Sequence, residues 1–140
     1  MSDESDVHEG GCLCGKVRYR VTGKPRWVAH CHCQSCRRAS GGAAVTWAGY
    51  TNETYEVTKG APVRFNSSPG VTRGFCGDCG SPMTYESGRW PAEVHVTLGT
   101  LDSPDAFPPK VHVYAEERLP WLRLDEHLES YAKTSREERE

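Results

Sequence analysis

Seven cysteines fall in three tight clusters, Cys12-Leu13-Cys14, Cys31-His32-Cys33-Gln34-Ser35-Cys36 and Cys76-Gly77-Asp78-Cys79, and no other feature constrains the fold as strongly. An odd count leaves one thiol over if the rest pair as disulfides, and in a reducing compartment clustered cysteines are metal ligands or redox groups. Zinc takes four ligands in structural sites and three plus an open position in catalytic ones. Seven divides as four plus three.

A Cys-x-x-Cys turn brings two sulfurs to one metal from a single chain reversal, and Gly77 and Gly80 give the backbone the freedom such a turn needs. Cys12 and Cys14 form a second pair among Gly10, Gly11 and Gly15. Joining the first and last pairs gives a four-cysteine structural zinc site that ties the start of the fold to its middle. The three thiols left, Cys31, Cys33 and Cys36, offer a second zinc with one position open, suited to a soft exogenous thiol. A thiol arriving there would lose its proton and could add to an aldehyde carbonyl, forming a hemithioacetal. Spacing also permits other partitions. Cys12 and Cys14 could combine with two thiols of the middle cluster, leaving Cys76 and Cys79 as a redox pair. Alternatively, His30 or His32 could complete a second structural site, which would make the chain a zinc-stabilised protein-interaction module without catalysis.

The length of 140 residues suits one domain, read as 8–130 between a flexible acidic N-terminus (1–7) and a charged C-terminal tail (131–140) whose last residues, Ser135 to Glu140, are expected to fray. Lys+Arg 17 against Asp+Glu 19 gives a net charge of -2, which supplies no positive field for nucleic acid or an anionic membrane. Apolar runs fall far short of the ~20 residues needed to span a bilayer. The start, Met1-Ser2-Asp3-Glu4-Ser5-Asp6, lacks the marks of an export signal, so a cytoplasmic location is expected.

Alternation marks short strands: Val17, Tyr19 and Val21 against Lys16, Arg18 and Arg20; Val63 with Phe65; Val94 and Val96 against His95; Val111 and Val113 against His112. Turn residues at Gly23-Lys24-Pro25, Lys59-Gly60-Ala61-Pro62, Ser67-Ser68-Pro69-Gly70 and Ser87-Gly88 separate them. The expected fold is mainly β, with antiparallel hairpins and little helix. One short helix is expected over Gln34–Ser40, stopped by Gly41-Gly42, and the helical spacing of Trp121, Leu124, Leu128 and Tyr131 reads as helix or coil.

The runs Gly10-Gly11-Cys12-Leu13-Cys14-Gly15-Lys16-Val17-Arg18-Tyr19, His30-Cys31-His32-Cys33-Gln34-Ser35-Cys36-Arg37, Phe75-Cys76-Gly77-Asp78-Cys79-Gly80-Ser81-Pro82-Met83 and Glu117-Arg118-Leu119-Pro120-Trp121 together resemble the glutathione-dependent formaldehyde-activating enzyme family, also called the centromere protein V family. The resemblance spans His8 to about Asp125. It implies a β-tent of layered antiparallel sheets carrying zinc at hairpin tips. It further implies two Zn2+ per chain: a structural zinc on Cys12, Cys14, Cys76 and Cys79, and a second, catalytic zinc on Cys31, Cys33 and Cys36 where the thiol of glutathione binds. Its founding activity condenses formaldehyde with glutathione to S-(hydroxymethyl)glutathione, formally a carbon-sulfur lyase run in reverse. The implied partners are a small-molecule thiol and aldehyde; a homodimer is compatible with the sequence. An open three-ligand site releases metal readily, so its zinc is expected at partial occupancy.

Glutathione's two carboxylates would call for cations near the second zinc, and Arg37, Arg38 and Arg73 are the candidates. His95 and His112 are expected as ordinary exposed strand residues rather than proton donors. Trp27, Trp47, Trp90 and Trp121 are expected in core or edge packing, and Ser35 and Ser40 as helix caps.

Overall fold

A computed structural model describes residues 6–138; the expectation of a flexible acidic start falls largely on residues outside that range. Three strands, β1 (Val7–Gly11), β2 (Arg18–Thr22) and β5 (Tyr55–Lys59), form a small antiparallel sheet in the order β1-β2-β5. The others are β3 (Trp27–Cys31), β4 (Val45–Thr51), β6 (Val63–Ser68), β7 (Val71–Phe75), β8 (Pro82–Ser87), β9 (Glu93–Thr97), β10 (Val111–Val113) and β11 (Glu129–Ser130). They form a larger sheet in the order β11-β10-β3-β4-β9-β8-β7-β6. Helix α1 (Gln34–Ser40) occupies the expected residues and α2 (Ser135–Glu138) closes the described chain. Among the described residues, no helix is long and apolar enough to cross a membrane.

The expected layering of sheets is present, and the alternation of β2 explains it. Tyr19 and Val21 point inward and are fully buried against Val28, Ala48, Tyr50, Met83, Val94 and Val96 of the larger sheet. Each such aliphatic side chain contributes about 1.5–3 kcal/mol when fully buried. The central strands β4 and β9 are buried on both faces. The far face carries a second cluster of Cys31, Cys36, Val45 and Trp47, with Trp27, Tyr85 and Tyr114 packed on it.

This two-sided burial corrects several expectations. His95 is buried, 8% exposed, because its face of β9 is covered by Trp27 and Tyr85 rather than by solvent. His112 is fully buried, and its flanking valines are the half-exposed residues. Strand β10 also departs from the antiparallel pattern, running parallel to β3 and β11. Strand β6 is exposed along its whole length, since it sits at the edge of the sheet. The stretch from Trp121 to Tyr131, read as helix or coil, is coil ending in β11, whereas Trp121, expected in core or edge packing, is 67% exposed.

Part of the C-terminal tail docks on the sheet; Arg139 and Glu140, the end of the stretch expected to fray, lie outside the described residues. Tyr114 and Ala115 donate backbone hydrogen bonds to Lys133 and Tyr131, and Tyr131 donates to His112. Arg136 forms a bidentate pair with Glu93 at 3.1 and 3.0 Å and covers the Trp90 ring at 4.2 Å. A charged sequence without apolar anchors is held here by polar contacts that alternation cannot reveal.

Candidate metal centres

The first and last cysteine clusters sit at two hairpin tips, Cys12 and Cys14 between β1 and β2, Cys76 and Cys79 between β7 and β8. One tip belongs to each sheet, so a shared ion would pin the sheets together. The four sulfurs lie within 4.8 Å of one another, with Cys12 to Cys14 at 3.6 Å and Cys14 to Cys76 at 3.7 Å. Tetrahedral zinc with Zn–S of about 2.3 Å places its sulfurs roughly 3.8 Å apart, so the donor set fits.

Each tip is preorganised by its own turn. Val17 N–H donates to Cys12 Sγ at 3.3 Å; Asp78 and Cys79 N–H donate to Cys76 Sγ at 3.4 Å. Both turns close on a glycine in the left-handed region, Gly15 and Gly80, each with φ of 79°. Ser81 knits the tips together: its hydroxyl accepts from Leu13 N–H and donates to Cys79 Sγ at 3.1 Å. That hydroxyl, with backbone N–H groups, pushes the Cys79 thiol down to about 5.

The middle cluster lies where β3 runs into α1. The sulfurs of Cys31, Cys33 and Cys36 also lie within 4.8 Å of one another, and among the described residues no histidine or carboxylate joins that group. Cys31 and Cys36 are buried, while Cys33 keeps partial access to solvent. Cys33 is the N-cap of α1, its Sγ accepting from Cys36 N–H at 3.3 Å. Ser35, expected as a cap, is inside the helix; Ser40 donates to the Cys36 carbonyl at its other end. Hydrogen bonds from Cys31 and Cys33, aided by the charge of Arg73, hold Cys36 down to about 3. Hydrogen bonding with Cys33 and Cys36 pushes Cys31 up.

The loop is fixed from outside by residues far along the chain. His32 N–H donates to the Val113 carbonyl at 3.1 Å, and Gln34 N–H donates to Glu117 Oε1 at 2.8 Å. His32 Nε2 lies 2.9 Å from His112 Nδ1, and His112 Nε2 lies 3.0 Å from the Asp125 carbonyl. A carbonyl only accepts, so His112 donates through Nε2. Burial depresses the His32 pKa to about 4 and keeps that ring neutral. His30 donates to the Asp125 carboxylate at 2.9 Å and bonds Thr46 at 2.8 Å. The three histidines are thus engaged with each other and with Asp125, outside the cysteine group.

Of the candidate cations, Arg37 and Arg38 lie in the last turn of α1, where positive charge complements the helix C-terminus. Arg73 lies over the Tyr85 ring at 5.1 Å, on the face that holds the middle cluster. Sequence reasoning did not single out Glu117, Asp125 or Tyr85 as supports of the loop. Glu117 was visible only inside a motif, and nothing local says that a carboxylate caps a turn 83 residues away.

Comparison with known proteins agrees with this geometry. The family profile of the glutathione-dependent formaldehyde-activating enzymes matches residues 7–117. A protein of Halomonas elongata, whose name assigns it to the same enzymes, is 33% identical over 129 residues, covering 84% of this chain and 80% of its own. A crystal structure of a Rhodobacter sphaeroides protein, a Northeast Structural Genomics target, shares the fold with a TM-score of 0.55 at 21% identity, covering 67% of this chain and 87% of that one. With two hairpin tips and one loop each presenting cysteines as the motifs require, the chain belongs to the glutathione-dependent formaldehyde-activating enzyme family.

Proposed function

We propose that the protein is an enzyme that adds a small thiol of the glutathione type reversibly to a small aldehyde such as formaldehyde, the adduct in that case being S-(hydroxymethyl)glutathione. In this reading it is a carbon-sulfur lyase acting in the direction of synthesis, with two zinc ions per chain. Cys12, Cys14, Cys76 and Cys79 hold the structural ion; Cys31, Cys33 and Cys36 hold the catalytic one. The observation that carries the reading is the contrast in donor number: four gathered sulfurs at one site and three, with no further donor, at the other. Family membership supports the same assignment.

When bound at the three-cysteine site, zinc supplies the Lewis acidity that removes the proton of an incoming thiol. The chain's own residues do the rest. Cys33, the most accessible of the three, stands at the open side, while Val45 and Trp47 wall off the buried side beside Cys31 and Cys36. Glu117 and the Val113 carbonyl hold the loop in the shape that keeps its sulfurs together. The addition forms one sulfur-carbon bond, the carbonyl π pair moves to oxygen, and that oxygen takes up one proton for the one the thiol lost. No oxidant or reductant is consumed.

The test follows carbon-13 formaldehyde and glutathione by NMR, comparing adduct formation with and without enzyme. Wild-type protein is expected to accelerate approach to equilibrium and Cys33→Ser to leave only the background rate. Equal rates for the two proteins would rule out the catalytic role of this site.

A further inference from the structure

The register of the larger sheet aligns six residues across six strands: Phe65 opposite Arg73, Arg73 opposite Tyr85, Tyr85 opposite His95, His95 opposite Gly49, and Gly49 opposite Trp27. From Trp27 to Arg73 the side chains make a continuous ladder. Trp27 crosses bare Gly49, where a Cβ would collide with its indole, and meets His95 edge-on at 4.5 Å. His95 stacks on Tyr85 at 5.4 Å and 21°, Tyr85 also meets Trp47 at 6.0 Å, and Arg73 caps the Tyr85 ring. Tyr85 is at the same time packed on the cluster of Cys31, Cys36, Val45 and Trp47. The ladder therefore leads from the three-cysteine site to a half-buried guanidinium.

Arg18, Arg20, Arg64, Arg123 and Arg136 each have a carboxylate partner; Arg73, like Arg37 and Arg38, has no ion pair among the described residues, and what sets it apart from those two is its place over the Tyr85 ring beside the three-cysteine cluster. Its Cζ lies over the Tyr85 ring at 5.1 Å, a cation–π contact that leaves its N–H donors without a carboxylate, the group their planar fork matches. Three thiolates around a divalent ion carry a net charge of -1, which repels an anionic ligand unless a cation lies beside them. An arginine immobilised by an aromatic ring and the sheet binds with little loss of rotamer freedom.

We propose that Arg73, held over the Tyr85 ring, is the subsite for a carboxylate of the thiol substrate and sets a preference for carboxylate-bearing thiols over neutral ones. The inference rests on the thiol-binding reading of the three-cysteine site, and it assigns Arg73 the part that sequence proximity alone shared among Arg37, Arg38 and Arg73. A planar fork is required, so lysine restores the charge but only part of the preference.

Calorimetric titration of the zinc-loaded full chain with glutathione and with its diethyl ester tests it. Wild-type protein is expected to favour glutathione by about tenfold, the scale of one partly exposed charge-assisted hydrogen-bonded pair. Arg73→Gln should bring the ratio near one, and Arg73→Lys should leave it between, with zinc content and thermal midpoint confirming that both variants fold. A ratio unchanged in Arg73→Gln, or affinity for both ligands lost together, overturns the subsite. Turnover measured alongside separates the two readings. Discrimination that depends on Arg73 without any aldehyde addition preserves the subsite and removes the reaction. Addition that proceeds while the preference survives in Arg73→Gln does the reverse. Failure of wild-type protein to bind either thiol overturns both.

Discussion

The two cysteine groups are built in opposite ways. The four-cysteine site draws its sulfurs from positions as distant as Cys12 and Cys79, yet each pair is shaped by its own turn, through N–H groups two to five residues away and a closing glycine. The three-cysteine site draws all its sulfurs from six consecutive positions, yet its shape depends on Val113, His112, Glu117 and Asp125, contributed by the far end of the chain. The four-cysteine site needs its neighbours only to meet the other tip; the three-cysteine one needs the whole fold to hold it. Bringing distant elements together suits a staple, and a locally contiguous loop braced from outside suits a site that must keep a position free for an incoming ligand.

The largest expected effect breaks the comparison at the closed site. Structural zinc in small domains contributes roughly 10–16 kcal/mol of apparent binding energy to folding. Cys76→Ser is therefore expected to abolish cooperative thermal unfolding followed by circular dichroism, while Cys33→Ser melts within a few degrees of wild type. Equal losses would mean that both ions are structural.

The second effect sharpens the account of bracing. Glu117→Ala frees the Gln34 N–H and removes a charge-assisted hydrogen bond of about 1.5–3 kcal/mol, so zinc should leave the three-cysteine site roughly tenfold or more faster under chelator competition. Zinc at the four-cysteine site should be released at its wild-type rate. Glu117→Gln, which keeps an acceptor, should recover part of the difference; acceleration at both sites would contradict the idea of separate supports.

A third difference is acid sensitivity. His32 and His95 are buried on the three-cysteine side, and burial lowers both below their ordinary value of 6.5. Between those lowered values and 6.5 the unfolded chain binds more protons than the folded one, so their contribution is complete above 6.5 and is lost as pH falls below it. The protection of amides around α1 and β10, taken relative to the intrinsic exchange rate at each pH, should fall between pH 7 and pH 5 before protection at the two hairpin tips does. Simultaneous loss at both would show that the histidines do not distinguish the regions. The smallest effect belongs to the C-terminal segment: Arg136→Ala removes a partly exposed pair with Glu93 and the contact with Trp90, and should lower stability by about 0.5–1 kcal/mol in denaturant titration.

Legibility in the sequence follows the same division. The hairpin tips were readable because cysteine spacing and glycine placement are local, and α1 was readable from the break in alternation and from Gly41. Strands buried on one face, such as β2, also followed their alternation. His95 and His112 were misplaced because alternation assumes that one face meets water, whereas here Trp27, Tyr85 and the 119–128 segment cover the second face. The bracing by Glu117 and Asp125 and the ladder from Trp27 to Arg73 exist only through register and long-range contact. No pattern within a window could have shown them.

The central claim is that one site is complete with four cysteines and the other keeps a place for a thiol. Native mass spectrometry of wild-type protein and Cys33→Ser, each with and without glutathione, tests it most directly. The account predicts two zinc ions and one bound glutathione for wild type, against one zinc ion and no glutathione for Cys33→Ser. Two zinc ions with undiminished glutathione binding in Cys33→Ser would contradict it.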